Sequence, residues 1–233
     1  ITLNGMAEPF LAYLNQLKCS ACHVNPDGGG LRNSFGNNYG FSVLPQRELS
    51  ASSADIGKIS DYLRIGGNFR SNAEYVKDKA DQENATFKID SAQLYLAFSV
   101  NDAITFYLDQ KLAPGSAINR EAFVMYKFNN SDFIIVGKIY VPFGIRLEDD
   151  SGFVRQATGF NFDSSDNGVE LGFEWQHSLV NFFITNGTSA VSNDDNGFLY
   201  GMRGEYLFNN ARVGGTYTFN DRSDGQQQMF NLY

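Results

Sequence analysis

The feature that most constrains the fold is a two-residue alternation that runs from about Tyr62 onward. In residues 169–176 (VELGFEWQ) apolar or aromatic side chains alternate with polar or small ones. Because successive side chains of a strand point to opposite faces, this pattern predicts strands with one apolar and one polar face. The same alternation recurs in segments near Ile104, Phe198 and Val213. The chain is therefore predicted to be mostly β and antiparallel.

The connections between these segments are predicted to alternate between short and long along the chain. The short ones lie at residues 101–102, 129–132, 177–178 and 209–210, and the long ones at 76–84, 112–119, 146–167, 188–197 and 221–227. Outer-membrane β-barrels have short periplasmic turns and longer external loops, so this pattern predicts an antiparallel transmembrane β-barrel with a polar lumen. A soluble β-meander is the alternative interpretation of the strands alone, but it gives no reason for connections to be sorted by length.

The strand count bears on whether such a barrel is complete. We count about nine strands and a tenth that begins near Gln228, whereas single-chain bacterial barrels close with an even number. Residues 229–233 are too few to cross a membrane again, so we expect the barrel to be incomplete in this chain. One segment, residues 133–141, departs from the alternation because it is apolar on both faces apart from Lys138.

Composition and charge exclude several classes of protein. The 233 residues have a formal net charge of -8 and a pI near 4.7, a balance that repels phosphate, so we expect no nucleic-acid partner. Aromatic residues make up 15% and charged residues only 19%, which excludes a disordered chain. The sequence has no run of about 18 apolar residues, so no transmembrane helix is predicted.

The only two cysteines lie in the run CSACH at residues 19–23. This C-x-x-C-H pattern is the attachment signature of haem c, in which two thiols form thioethers with the porphyrin and the adjacent histidine binds the iron. We therefore predict one covalent haem c held by Cys19 and Cys22, with His23 as the proximal iron ligand. A redox dithiol, a local disulfide and half of a zinc site are alternatives, although zinc needs about four ligands and the only other histidine is His177.

The surroundings of the motif indicate a small haem-binding unit. Residues 8–18 carry apolar side chains at helical spacing, and residues 25–30, rich in glycine, would end that helix. We assign residues 1–61 to an N-terminal haem segment that plugs the barrel and residues 62–233 to the barrel. Because haem c is attached after export and the sequence begins without a signal peptide, we expect this to be the mature chain.

A sixth iron ligand could come from the rest of the chain. His177 is predicted to lie in a tight turn at the periplasmic end, within reach of the haem segment, and a solvent-exposed turn histidine is the alternative. Met125 is the second candidate, on the strand face that carries Glu121 and Phe123, and packing against the plug is its alternative role. Met6 and a five-coordinate iron are left open.

Acidic residues cluster in the predicted external loops, at residues 148–150, at Asp163 with Asp166, and at residues 194–195. Carboxylates bind hard cations such as calcium or ferrous iron, so cation capture is one hypothesis and solvated loop charge is the other. With two histidines in the chain and one assigned to haem, no Ser-His-Asp arrangement is predicted. The glycines at 28–30 lack the lysine of a phosphate-binding loop.

The motif and the strands together resemble the porin–cytochrome fusions of bacterial outer membranes. These proteins carry a one-haem N-terminal segment on a porin-like barrel, and members from iron-oxidising bacteria pass electrons between the cell exterior and periplasmic carriers. The resembling residues are 19–23 (CSACH) and 137–147 (GKIYVPFGIRL), which looks like a porin-type strand leading into an external loop. Residues 25–36 differ from the sequence that follows the haem in the iron oxidisers, so the electron donor stays open.

The resemblance implies electron transfer across the bacterial outer membrane, with the haem segment on the periplasmic side. It implies outer-membrane lipid and periplasmic or extracellular cytochromes as partners, and a carrier rather than an enzyme. The apolar band of such a barrel is roughly 25 Å tall, so one haem at one mouth needs a second haem protein at the other. The alternatives are a solute porin with a structural or gating haem plug, and a soluble secreted β-protein in a larger cytochrome assembly.

Overall fold

The structure is a computed structural model that describes residues 10–44, 55–77, 83–129, 131–146, 165–209, 211–223 and 225–233. Ten antiparallel strands form one sheet in which sequence neighbours are also spatial neighbours. The strands are β1 (Leu63–Lys77), β2 (Glu83–Ser99), β3 (Ile104–Ala113), β4 (Ile118–Phe128), β5 (Asp132–Tyr140), β6 (Ser165–Glu174), β7 (Ser178–Thr185), β8 (Leu199–Phe208), β9 (Ala211–Arg222) and β10 (Gly225–Leu232). The prediction of a mostly β, antiparallel chain is confirmed.

This sheet is not closed into a barrel within the described residues. β1 pairs with β2 and β10 pairs with β9, but β1 and β10 do not pair with each other. The tenth strand begins at Gly225 rather than near Gln228. Two backbone hydrogen bonds, of 2.8 and 3.0 Å, between Gly214 and Tyr233 continue its ladder to the last residue.

The connections at one end of the sheet are all short, as predicted, at residues 100–103, 129–131, 175–177 and 209–210. We call this the short-turn end. At the other end the connections at 141–164 and 186–198 are long, but those at 114–117 and 223–224 are tight. The prediction of long connections near 112–119 and 221–227 is therefore wrong. The strands extend through polar residues there, whose alternation carries no apolar signal.

The two faces of the sheet differ in burial, and the polar face is the buried one. We call it the inner face, and its buried residues include Asp109, Glu170, Asn181, Arg203, Thr216 and Thr218. The opposite, outer face exposes 36–50% of six large apolar side chains, which are Phe106, Val124, Val136, Tyr200, Met202 and Tyr217. The predicted division into an apolar and a polar face is confirmed for β3, β6, β8 and β9.

The N-terminal segment lies against the inner face. It contains the helices α1 (Phe10–Leu14), α2 (Cys19–Cys22) and α3 (Ser34–Asn38), followed by a π-helical turn (Tyr39–Val43). The predicted continuous helix over residues 8–18 is wrong in its described part, because Gln16 adopts φ 55° and the Leu17 N–H donates to the Ala12 carbonyl at 2.7 Å. This left-handed residue with its 6→1 bond is a Schellman stop, which ends α1 before α2 begins.

A buried apolar cluster joins this segment to the sheet and explains the strand that is apolar on both faces. Leu31 belongs to the cluster, Val24 packs against it, and Phe133 and Ile135 of β5 are each 1% exposed within it. The next residue of β5, Val136, is 50% exposed on the outer face. β5 is apolar on its inner face because apolar residues of the N-terminal segment cover that face.

Candidate functional site

The two cysteines lie at the ends of the single-turn helix α2. Residues three apart on a helix share one face, so both thiols are presented together, and both are free. His23 follows directly in an extended conformation, and its backbone N–H donates to the Cys19 carbonyl at 3.0 Å. The three predicted haem-binding residues therefore form one compact unit.

A tight turn after the motif brings the chain back beside it. His23 forms an antiparallel bridge with Arg32, and the Val24 N–H donates to the Leu31 carbonyl at 3.0 Å. Between them the glycines at 28, 29 and 30 have φ values of 91°, 73° and 57°. Side chains disfavour this left-handed region, so the glycine run serves the geometry of the turn.

A cavity opens beside the thiols. The empty space there measures about 880 Å³, part of which is open solvent. Its walls come from the N-terminal segment and from two residues of the β5–β6 connection, and no residue of the ten strands lines it. The lining residues that matter for chemistry are Cys19, Cys22, His23 and the apolar Leu11, Leu17, Leu44 and Ile145, with Lys18, Arg32 and Arg146 as the cations.

The donor set of this cavity fits haem c. Burial, with smaller effects from Arg32 and Arg146, lowers the pKa of His23 to about 4, so its imidazole is neutral near pH 7 and keeps a lone pair for a metal. The buried Nδ1 of His23 has no hydrogen-bond partner among the described residues. Burial also raises the pKa of Cys19 and of Cys22, which keeps both groups as thiols.

The helix α3 packs closely on the motif. The Asn33 side chain caps α3 by accepting from the Gly36 N–H at 2.9 Å, and it donates to the carbonyls of Ser20 and Ala21 at 3.2 and 3.0 Å. A Cβ on Gly36 would overlap the carbonyl oxygen of Cys22. α3 can approach the motif this closely only because residue 36 lacks a side chain.

Polar side chains of the sheet hold α2 at the short-turn end. Glu174 accepts from the Ser20 hydroxyl at 3.2 Å and pairs with Lys18 at 3.5 Å. Lys18 also donates to the backbone carbonyl of Trp175. Arg212 of β9 donates to the Leu17 carbonyl at 3.3 Å, and its Nη1 lies 3.8 Å from the Cys19 sulfur.

A second set of contacts holds the turn deeper in the inner face. Asp27 pairs with Arg203 of β8 at 2.5 Å, and the Asn25 amide donates to Glu121 of β4 at 2.9 Å. The Leu31 N–H donates to the Tyr107 hydroxyl of β3 at 3.1 Å. Because one short segment contacts strands from β3 to β9, the sheet must curve around it.

The β5–β6 connection adds a second inward segment that the sequence reading missed. Val141 and Phe143 are 3% and 2% exposed and pack with Phe183 and Leu199. The guanidinium of Arg146 then lies 3.0 Å from Glu121. The prediction that residues 137–147 lead directly into an external loop is wrong for 141–146. Apolar residues at every second position of a presumed loop were the signal for burial.

The two predicted sixth ligands lie in different places. His177 is exposed in the turn at residues 175–177, with its ring 6.3 Å from that of Tyr206, and its pocket contains no residue of the N-terminal segment. Met125 is 1% exposed and lines a cavity together with His23, but it is not among the lining residues of the thiol cavity. Both assignments stay predictions, and Met6 lies outside the described residues.

The predicted acidic clusters are only partly within the described residues, because 148–150 and Asp163 lie outside them. Asp166 is 2% exposed and accepts from the Asn167 and Gly187 N–H groups at 2.9 and 2.5 Å. Asp195 accepts from the N–H groups of Gly197 and Ser223 at 2.9 and 3.3 Å. These two carboxylates therefore order the backbone of their connections, and cation capture stays a hypothesis.

Comparison with known proteins found no matching protein-family model and no matching curated protein. Among the described residues, no group of three or more His, Cys, Asp or Glu side chains is arranged to hold a metal ion. None of the described helices is long and apolar enough to cross a membrane.

Proposed function

We propose that this chain is a monohaem c-type cytochrome of the bacterial outer membrane that carries electrons between periplasmic and extracellular cytochromes. The observation that carries the proposal is the cavity in which two free thiols and a neutral histidine meet apolar walls. Cys19 and Cys22 would form the thioethers and His23 would coordinate the iron. When bound, haem c supplies an iron that accepts and releases one electron at a time.

The rest of the chain orients this site and excludes water on the side that faces the sheet. Asp27 and Asn25 fix the turn to Arg203 and Glu121. The apolar cluster around Leu31 excludes water between the motif and the sheet. A site held by fixed contacts needs little rearrangement when its charge changes, as electron transfer requires.

The outer face supports a membrane location. A row of aromatic side chains lies on the outer face near the short-turn end. The ring centroids of neighbouring partners are 4.7–6.4 Å apart. The row consists of Tyr126, Phe128, Phe173 and Trp175, with the further pair Tyr206 and Phe208. Aromatic girdles at the interfaces and an apolar band between them are typical of outer-membrane barrels. We therefore propose a barrel-type sheet whose short turns face the periplasm.

The position of the thiols bears on the partners. Lys18, next to Cys19, reaches the carbonyl of Trp175 in a turn of the short-turn end. Because the apolar band of a barrel is roughly 25 Å tall, a haem attached at the short-turn end would be distant from the end with the long connections. A periplasmic cytochrome would exchange electrons at the short-turn end, and an extracellular cytochrome would have to reach in from the long connections.

The two alternatives predict other features. A solute porin needs a continuous water path, whereas the described inner face buries Glu170 and Arg203 at 1% and 3% exposure and also receives residues 141–146. A soluble secreted β-protein needs polar side chains on its outer face, whereas Tyr200 and Met202 are 47% and 49% exposed there. Both observations favour the electron carrier.

The haem assignment is tested by co-expressing the full chain with a c-type maturation system. The pyridine haemochrome spectrum should show one thioether-linked haem per chain, and Cys19→Ala with Cys22→Ala should abolish it. Ser20→Ala, within the same motif, is the matched control and should retain the haem. A wild-type protein without covalent haem would refute the electron-carrier proposal.

The location is tested by separating inner and outer membranes from the same cells. The protein should fractionate with the outer membrane and resist carbonate extraction, with and without the two cysteines. Release into the soluble periplasmic fraction would instead support the secreted β-protein.

The sixth ligand is tested by electron-spin resonance of the oxidised protein. Neither candidate lines the thiol cavity, but Met125 lines another cavity with His23, whereas the pocket of His177 contains no residue of the N-terminal segment, so Met125 is the candidate to test first. A low-spin signal should become high-spin in Met125→Ala and stay unchanged in His177→Ala. The reverse result would move the ligand to His177.

A further inference from the structure

Arg32 occupies a fixed position beside the predicted iron ligand. Its backbone forms the antiparallel bridge with His23, and the flanking bonds from Val24 to Leu31 and from Asn33 to Cys22 are each 3.0 Å long. These hydrogen bonds fix the backbone position of Arg32 relative to His23. Arg32 is one of the residues that line the cavity beside both thiols.

The space for this guanidinium is provided by Gly40 of the π-helical turn. A Cβ at position 40 would collide with Nη1 of Arg32. Gly40 and Gly36 are one helical turn apart, so the same helical face accommodates Arg32 at one glycine and the Cys22 carbonyl at the other. The Arg32 side chain therefore lies against Gly40, which is itself a lining residue of the thiol cavity.

The cations of this cavity differ in their ionic partners. Lys18 pairs with Glu174 at 3.5 Å, and Arg146 pairs with Glu121 at 3.0 Å. Arg32 has no carboxylate partner among the residues that the structure describes. A guanidinium binds a carboxylate through two parallel hydrogen bonds, so Arg32 is the cation of this cavity that is ready to receive one.

We propose that Arg32 binds a propionate carboxylate of the haem. This inference rests on the proposed function, because it takes covalent haem as the occupant of the cavity. The thioethers form at the vinyl edge of the porphyrin, and the propionates project from the opposite edge. Arg32 then holds the porphyrin at the edge that Cys19 and Cys22 do not, and the ring is fixed from both sides.

The test uses resonance Raman spectroscopy of the haem-loaded full chain, because the propionate-bending band reports hydrogen bonding to the carboxylates. Arg32→Gln should shift this band to lower frequency, and Arg32→Lys should restore part of the shift, since an ammonium keeps the charge but not the two-point contact. Gly40→Ala would displace the end of the Arg32 side chain and should shift the band in the same direction by a smaller amount, at unchanged net charge.

The matched control is Lys127→Gln, which removes one positive charge from an exposed residue. Lys127 lines the cavity that His23 shares with Met125, not the thiol cavity. It should leave the band in place. An unchanged band in Arg32→Gln, in protein whose haemochrome spectrum still shows thioether-linked haem, would overturn this inference alone. An equal shift in Lys127→Gln would also overturn it, because the effect would then be one of general charge. Wild-type protein without covalent haem would overturn the proposed function and this inference together.

Discussion

The inner and outer faces of the same strands follow opposite rules. In β8 the inner residue Arg203 is 3% exposed, while its outer neighbour Met202 is 49% exposed. In β9 Thr216 and Thr218 are buried, while Tyr217 between them is 43% exposed. A sheet in water normally buries its apolar face. Here the polar face is buried and the apolar face is exposed, which indicates that each face is matched to a different environment.

The comparison teaches what each face requires. The inner face can bury charge because charged partners from other elements meet it, as Asp27 meets Arg203. The outer face has no such partners among the described residues. Contact between its apolar side chains and water would raise the free energy of the folded protein. Lipid would remove that penalty, so the contrast between the faces is a testable statement about the surroundings.

The largest effect should come from breaking a charge pair on the inner face. Arg203→Ala leaves the buried Asp27 without its cation and leaves Glu205 with Arg212 alone, which should lower the free energy of unfolding by about 3–5 kcal/mol. Urea unfolding followed by tryptophan fluorescence measures it. Arg222→Ala, at an exposed position of β9, is the control and should change little. Equal losses in the two variants would contradict the account of the inner face.

The next effect should come from adding charge to the outer face. Val136 is 50% exposed in the middle of β5, and Val136→Arg should destabilise a lipid-inserted sheet by about 2–4 kcal/mol. Refolding into lipid vesicles at increasing urea concentration measures the loss. Ser223→Arg, in the tight connection after β9, should be neutral. If Val136→Arg is neutral as well, water rather than lipid covers the outer face.

A smaller effect follows from the titration of His23 in the haem-free Cys19→Ala/Cys22→Ala protein. Because its folded pKa is about 4 against about 6.5 unfolded, the unfolded state binds a proton that the folded state does not. Stability from this group is complete above about pH 6.5 and is lost as the pH falls through about 4, so the free energy of unfolding should be about 2 kcal/mol lower at pH 5 than at pH 7. Adding His23→Asn should remove this difference, and an unchanged pH dependence would rule out His23 as its source.

The smallest effect should come from the β1–β2 extension, where residues 83–91 pair only with β1 and both faces are largely exposed. Lys88 and Glu74 form an ion pair there, with side chains 51% and 42% exposed. Lys88→Ala should cost about 0.5 kcal/mol or less, because exposed ion pairs contribute little. A loss as large as that of Arg203→Ala would show that this extension is covered in the native protein.

Local sequence features predicted much of the fold. The alternation in residues 169–176 correctly assigned β6, and the polar clusters at 129–132 and 209–210 correctly marked short turns. The extent of β9 and β10 was missed because Asp221, Arg222 and Gln226 pair as polar residues in a ladder that extends to a tight turn. Hydrogen-bonded strands need no apolar side chains where solvent meets both faces.

The site was predicted less completely. The spacing of Cys19, Cys22 and His23 identified the donor set because that chemistry depends on neighbouring residues. Arg146 was assigned to an external loop, and Arg32 was not singled out. Their positions at the cavity depend on the inward path of 141–146 and on the bridge between His23 and Arg32.

The sequence by itself indicated most of the strands, their two faces and the C-x-x-C-H motif, because all three are set by the backbone period and by residues a few positions apart. Only the tertiary structure decided that Asp27 meets Arg203, which is 176 residues away. It also decided that the thiol cavity is walled by the N-terminal segment and by residues 145–146. Such contacts depend on how the sheet curves and what fills it, and no local pattern encodes that.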